Sequence, residues 1–286
     1  MPGADIGIIG GSGLYDMEGL ANVAEHRVST PFGEPSDAIV VGNLDGTSVA
    51  FLPRHGRGHR VSPTELNQRA NIWAMKSLGV ERLISVSAVG SLREDVRPLD
   101  LVIPNQLVDR TRNRVDTFFA GGIVAHVGMA DPFCPEMSSL LFVAAQESGA
   151  TVHRGGTYVV IEGPQFSTKA ESRLYRSWGM DIIGMTALPE ARLAREAELC
   201  YATIACVTDY DVWHESEGEV TVDMVIRNLL KNVATSKDII ISVVPRVPRE
   251  RACRCGSALE HAIITAPDRI APEAKERLKL LVGKYL

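Results

Sequence analysis

Short apolar runs recur along this chain, and each ends in a turn of glycine or polar residues before a helix signal follows. Ile6 to Ile9 runs into Gly10-Gly11-Ser12-Gly13, and Val49 to Leu52 runs into Arg54-His55-Gly56-Arg57-Gly58-His59-Arg60. Arg82 to Val89 opens into Gly90-Ser91-Leu92, and Leu199 to Val207 ends in Thr208-Asp209-Tyr210-Asp211. Shorter runs, Ala38 to Val41, Leu101 to Ile103, Thr157 to Ile161 and Asp181 to Ile183, also read as strands. Between them stand helix starts. Ser62-Pro63-Thr64-Glu65 has Ser as N-cap, Pro at the first helical position and Glu at the third, which predicts a helix through Trp73 to Leu78, ended by Gly79. Thr168 to Glu171 is a second capping box. Further helices are expected over 137–148, 189–198, 222–236 with an extension into 239–244, and 273–284. The segment from Asn105 to Pro135 is long and irregular, the mark of a functional loop or an interface. Strands and helices that alternate without repeat or linker make one α/β domain.

That architecture needs a large core, which 286 residues at 45% hydrophobic supply. A net charge of −5 with pI near 5.8 argues against nucleic-acid and membrane-surface binders, which are usually basic. No run approaches the roughly 18 apolar residues of a membrane span. The start, Met-Pro-Gly-Ala-Asp, lacks the basic and apolar regions of a signal peptide, so a cytoplasmic location is expected. Of five cysteines, Cys134, Cys200 and Cys206 lie among apolar residues and read as small hydrophobes. Cys253-Arg254-Cys255 is a C-x-C pair in an Arg-rich loop. Only His261 is near it, too few ligands for zinc, while a disulfide involving the pair stays open.

Against this acidic background the basic stretch at 54–60 stands out. A guanidinium fork matches phosphate oxygens, and glycine lets backbone N–H groups approach an anion; a solvated basic turn is the plainer alternative. Gly10-Gly11-Ser12-Gly13 likewise reads as an anion cradle or as a tight turn. It is not a dinucleotide fingerprint, because Tyr15-Asp16 stands where the third glycine belongs, and it is not a P-loop. Ser87, Ala88 and Thr186 also sit at strand ends, where α/β sheets place ligands. No carboxylate neighbours these groups in the sequence, so phosphate is expected to be held by protein without metal. Asp209 and Asp211 are two apart. On a strand both face one ligand, and like charge raises the pKa of one. Such a pair suits the N6 and N7 edge of a 6-aminopurine. An Asx turn capping the next segment is the other reading.

Seven segments in order carry a resemblance: Gly10-Gly11-Ser12-Gly13-Leu14-Tyr15-Asp16, Thr30-Pro31-Phe32-Gly33, Arg54-His55-Gly56, Ala88-Val89-Gly90-Ser91-Leu92, Glu162-Gly163-Pro164, Met185-Thr186 and Thr208-Asp209-Tyr210-Asp211. Together they resemble the methylthioadenosine phosphorylases, within the trimeric purine nucleoside phosphorylases. The resemblance spans about residues 5 to 245. It implies a single domain over 1–245 with a central mixed, partly barrel-like sheet flanked by helices, and a tail, 246–286, packed on that domain.

The resemblance also implies roles. Ser12, Arg54, His55, Ser87, Ala88 and Thr186 would bind phosphate, with Ser12 where relatives often have Thr. Met185 would pack on the ribose, Phe166 would stack near the base, and Asp209 and Asp211 would read adenine. Ser167 and Val222 match specificity positions, Val222 and Val225 would line the 5′ pocket, and His59 and a neighbouring subunit's copy of His126 would complete it. The implied reaction is phosphorolysis of S-methyl-5′-thioadenosine, with a broader purine nucleoside phosphorylase acting on adenosine or inosine as the alternative. No cofactor or metal is implied, inorganic phosphate being a co-substrate, and a homotrimer or dimer of trimers is expected.

Overall fold

The computed structural model describes residues 3–11, 13, 14, 16–214 and 222–286, with the backbone only of Val222 and Met224. In chain order the elements are β1 (Ile6–Gly10), β2 (Leu20–His26), β3 (Ile39–Leu44), β4 (Thr47–Pro53), α1 (Gln68–Ser77), β5 (Arg82–Ser91), β6 (Leu101–Ile103) and β7 (Gln106–Arg110). Then follow α2 (Pro135–Glu147), β8 (Val152–Arg154), β9 (Thr157–Ile161), α3 (Lys169–Ser177), β10 (Ile182–Gly184), α4 (Ala187–Glu196), β11 (Cys200–Asp209), α5 (Val222–Val243) and α6 (Pro272–Val282).

The apolar runs β1, β5 and β11 are buried along their whole length save Ala88, as strands covered by helices on both faces must be. They form the centre of a mixed sheet ordered β2-β3-β4-β1-β5-β10-β9-β7, with β11, β6 and β8 branching from β5. The branch sets the site. β1 runs parallel to β5 only as far as Ile9↔Ser85, and β10 takes over antiparallel at Ile183↔Gly90. Residues 86–89 of β5 therefore have a strand, β11, on one edge and none on the other. That fork is a topological switch point, where an open backbone edge faces a ligand rather than a strand.

One apolar cluster joins α1 and α4 to the sheet through Trp73, Met75, Leu188 and Leu193, and a second joins α2 and α5 through Leu141, Ile239 and Val243. The tail joins both: Leu259, Ile270, Leu278 and Leu281 are buried in the first, and Cys255 in the second. Its backbone also pairs with the segment before α2, Ile264 donating to Val124 O at 3.0 Å. Among the described residues no helix is long and apolar enough to cross a membrane.

The elements differ from the sequence expectations in several places, the unexpected strand β8 and the extension of β5 to Ser91 among them. The first helix begins at Gln68 rather than Ser62. Ser62 and Glu65 do bond, Ser62 Oγ to Glu65 Oε2 at 2.5 Å, but they close only a turn. Asn67 is the cap: its Oδ1 accepts from Ala70 N at 3.2 Å while its Nδ2 donates to Phe32 O at 2.7 Å. The irregular stretch from 105 to 135 contains β7, which is only partly buried and so lacks a strong apolar run. The exposed strand β2 was hidden for the same reason.

Candidate active site

Arg54 follows β4, and its backbone N–H donates to Gly10 O at 2.8 Å, which joins the two glycine-flanked turns. Its guanidinium is buried. Nε donates to Glu190 Oε2 at 2.9 Å, and Nη2 reaches Glu190 Oε1 at 3.1 Å, Ser85 Oγ at 2.7 Å and Ile9 O at 3.2 Å. Nη1 donates to Val86 O at 2.9 Å. Burial works against the charge, and Glu190 outweighs it, so Arg54 is held ionised. Glu190 corrects the expectation that no carboxylate accompanies the phosphate-type groups: it comes from α4 and serves as a counter-ion rather than a metal ligand.

Hydroxyls continue from this pair. Ser85 and Ser87 Oγ lie 3.5 Å apart, and Thr186 Oγ1 donates to Ser87 Oγ at 2.9 Å. Because Val86 O turns to the open edge of β5, the backbone groups of Ala88, two residues on, turn there too. Beside Thr186 lies the buried Tyr158 hydroxyl, whose pKa burial raises while Thr186 works the other way. Sequence reading missed Tyr158, which sits inside an ordinary apolar strand.

His55 places Nδ1 2.8 Å from Val61 O, and a carbonyl only accepts, so Nδ1 carries the hydrogen and Nε2 is an acceptor. Burial, reinforced by Arg54, lowers its pKa to about 4, and the imidazole is neutral at pH 7. His59, exposed and at φ 53°, stacks on it with ring centroids 4.4 Å apart. The other arginines of the basic stretch turn elsewhere: Arg57 pairs with Glu25 at 2.7 Å, and Arg60 with Asp37 at 3.8 Å.

The two aspartates stand at the far end of the same strands. Asp209 ends β11 and Asp211 follows at φ 52°, so they share a turn rather than one face of a strand. The Asx-type bond is present: Asp211 N–H donates to Asp209 Oδ1 at 2.8 Å. Thr208 Oγ1 lies 2.7 Å from Asp209 Oδ2 and 3.2 Å from Val89 O. Both carboxyls are 7% exposed. Burial raises the pKa of each, that of Asp211 to about 6, with Asp209 a smaller contributor. The buried hydroxyl of Ser172 faces the Asp211 carboxyl and works against the rise, although neither it nor Asp211 Oδ2 makes a hydrogen bond of ordinary geometry among the described residues. Gly90 makes the approach possible, since a Cβ there would lie 2.8 Å from Asp209 Oδ1. Two side chains of α5 tie the strand end down, Asn228 to Thr208 O at 2.7 Å and Asn232 to Val207 O at 3.0 Å.

The segment from Glu162 to Thr168, between β9 and α3, carries Phe166, which is 47% exposed, and Ser167, whose buried hydroxyl is unpartnered among the described residues. The capping box at Thr168 and Glu171 is formed as expected and fixes the start of α3. Met185 packs on Gly163, where a Cβ would lie 2.4 Å from its sulfur. Arg114 holds the two together. Its Nη1 donates to Met185 O and Leu188 O, each at 2.6 Å, and its Nη2 to Glu162 O at 2.5 Å and Ile161 O at 3.3 Å. No motif marked Arg114, because its role depends on carbonyls far along the chain.

The structure thus gathers Arg54, His55, Ser87, Ala88 and Thr186 around one fork in β5, with Asp209 and Asp211 at the end of the adjacent β11. His126 is not with them: it is exposed, its N–H bonded to Ala262 O of the tail at 2.8 Å. Ser12 and the side chain of Val222 lie outside the described residues, and Val225 is half-buried on α5. The cysteine reading is corrected. Cys134 and Cys200 are not solitary hydrophobes: their sulfurs and those of Cys253 and Cys255 all lie within 4.8 Å of one another. Cys206 stays apart, next to Ser236 Oγ at 3.4 Å.

The family model described as "Phosphorylase superfamily" matches residues 5–245. The S-methyl-5′-thioadenosine phosphorylase of Koribacter versatilis is 61% identical over 282 residues, covering 99% of this chain and 97% of its own. That of Geobacter sulfurreducens is 60% identical, covering 98% and 99%. The crystal structure of a methylthioadenosine phosphorylase from an antarctic soil metagenomic library superposes with a TM-score of 0.94 at 51% identity, covering 98% of this chain and 99% of that one. The Schistosoma mansoni methylthioadenosine phosphorylase in complex with adenine gives 0.85 at 39%, covering 90% and 96%. With identities this high over nearly the whole length, the chain belongs to the methylthioadenosine phosphorylase family of the phosphorylase superfamily.

Proposed function

We propose that this chain catalyses the phosphorolysis of S-methyl-5′-thioadenosine to adenine and 5-methylthioribose 1-phosphate. The observation that carries the reading is the pair of buried carboxyls beside Gly90, two residues past the open edge of β5 at Ala88. Phosphate sits at the fork, held by Ser12, His55, Ser87, Thr186 and the N–H of Ala88, with Arg54 supplying the positive field. Its oxygen attacks C1′ while the glycosidic C–N bond breaks, and the bond's electron pair leaves with adenine. Positive charge grows on the ribosyl ring meanwhile, and the phosphate anion stabilises it.

Adenine accepts a proton at N7 as it leaves, and Asp209 donates it. The Thr208 hydroxyl can turn to Val89 O, which frees Asp209 Oδ2 to hold that proton. Asp211 accepts from the exocyclic amine through its carboxylate. Burial raises the pKa of both carboxyls, which favours holding a proton on the pair, and the two titrate together. Met185 packs on the ribose, Phe166 on the base, and Ser167 and Val222 set specificity. His59 and a neighbour's His126 close the 5′ side around the methylthio group. The exposure of Phe166 and of His126 supports a site completed by a second copy, in a trimer or a dimer of trimers. Residues 1–245 make the catalytic unit, and 246–286 brace it. The reaction needs no organic cofactor, and a cytoplasmic location fits it.

The test is adenine release from methylthioadenosine with and without phosphate, alongside adenosine and inosine. Phosphate-dependent release, fastest with methylthioadenosine, is expected. Release without phosphate means hydrolysis, and a preference for inosine means that the carboxyl pair has been assigned the wrong base.

A further inference from the structure

The cysteine cluster lies at the opposite end of β11 from the aspartates. Cys200 starts that strand and Asp209 ends it, nine steps apart, which is about 30 Å at about 3.3 Å per residue. The cluster's members come from three places: Cys134 caps the start of α2, Cys200 opens β11, and Cys253 and Cys255 flank Arg254 in the tail. Cys134, Cys200 and Cys255 are buried and Cys253 is half-buried. Every sulfur is within 4.8 Å of every other, and Cys200 and Cys253 are 3.3 Å apart.

We propose that Cys134, Cys200, Cys253 and Cys255 bind one zinc ion as a closed, tetrahedral four-thiolate site. Sulfurs about 2.3 Å from a common centre sit about 3.8 Å from each other at tetrahedral angles, between the 3.3 Å of the Cys200–Cys253 pair and the 4.8 Å that bounds every pair. Two disulfides would need closeness only pair by pair, whereas here every sulfur lies within 4.8 Å of every other. Four coordinating sulfurs leave no position for water, so the site is structural. On binding, four S–H protons pass to solvent and the centre carries two negative charges. Arg195 faces it, Nη1 lying 3.7 Å from Cys255 Sγ, and Arg251 lies over Gly256, where a Cβ would meet its guanidinium at 2.7 Å. Arg195 so placed offsets the charge of a buried thiolate centre, while Arg251 is paired with Glu81 at 3.3 Å. The ion fastens the tail to the start of α2 and the start of β11.

The full-length protein is purified without chelator, and its zinc, free thiols and intact mass are measured. About one zinc per chain is expected, released in step with titration of four thiols by an organomercurial. Exchange with Co²⁺ should give the intense thiolate-to-metal and ligand-field absorption of a tetrahedral sulfur site. Cys253→Ser with Cys255→Ser should lose zinc and melt at lower temperature, while Cys206→Ser, outside the cluster, keeps its zinc. The wild-type measurements stand even if the double variant does not fold. Little zinc with a mass lower by four hydrogens means two disulfides. Little zinc with five free thiols and no cobalt spectrum means packed thiols, and either result overturns the assignment.

Discussion

Arg54 and Glu190, 136 positions apart in the chain, meet in a two-point ion pair whose side chains are 3% and 0% exposed. A guanidinium without that carboxylate would be buried and uncompensated. Breaking such a pair by removing one partner costs about 3 to 5 kcal/mol. Glu190→Gln is therefore expected to lower the unfolding free energy by that amount in urea titration. A loss below about 1 kcal/mol, the worth of an exposed pair, would show that the pair is not what holds Arg54.

Asp211 predicts a pH slope. Its pKa rises on folding from 3.8 to about 6, chiefly through burial, so between those values the folded chain binds more protons than the unfolded one. Stability from this group is greatest below pH 4, falls as pH rises to 6, and is flat above. The rise corresponds to on the order of 3 kcal/mol. Asp211→Asn removes the titration, so relative to wild type the variant should gain melting temperature from pH 4 to pH 7. Glu196, pushed up to about 7 by burial, titrates in both proteins and cancels in the comparison. A difference that stays constant over this range would contradict the assignment.

Gly90 predicts a loss of rate without a loss of fold. Its backbone is not strained, but a Cβ would lie 2.8 Å from Asp209 Oδ1 and 3.1 Å from Ile183 Cγ2. Gly90→Ala should displace the Asp209 carboxyl and lower kcat about 100-fold, the scale on which small misplacements act. Steady-state kinetics together with an unchanged circular dichroism spectrum would support this. Near wild-type kcat would mean that the carboxyl has slack.

Arg114 predicts a difference between two cations. Its planar fork spans carbonyls on both sides, whereas an ammonium is a point charge that cannot reach all of them. Each buried bond to a charged donor is worth about 1.5 to 3 kcal/mol. Arg114→Lys should loosen Met185 from Glu162, raising KM for the nucleoside more than KM for phosphate. Equal rises in both would argue for a global effect instead.

Arg54, His55, Thr186, Asp209 and Asp211 were legible as strand-end residues because each lies at or just past the end of a strand, which can be read locally, whereas Ser87 lies inside β5, which runs on to Ser91. The partners of these groups were not legible. Glu190 and Tyr158 look like ordinary residues of a helix and a strand, and only the packing of α4 and β9 on the sheet gives them their roles. The aspartate geometry was half legible: a two-residue spacing suggested one strand face, but the left-handed backbone at Asp211 makes a turn. The first helix was placed too early because Ser62 and Glu65 satisfy a capping pattern locally, while Asn67 is fastened by Phe32 from the far side of β3 and β4. The cysteines show the limit most plainly. Cys134 and Cys253 are 119 positions apart in the sequence, and nothing short of the fold brings them together.

The fork in β5 has a further consequence. A strand wedged between β1, β10 and β11 has little room to adjust, since a shift for one neighbour breaks register with another. Changes at 85–90 should therefore turn catalysis down without altering which nucleoside is accepted. Freedom to evolve new substrates lies in the stretches that hang from this frame, 163–167 and 211–214. A library confined to those two windows should yield altered preference, and one confined to β5 should yield only weaker enzymes.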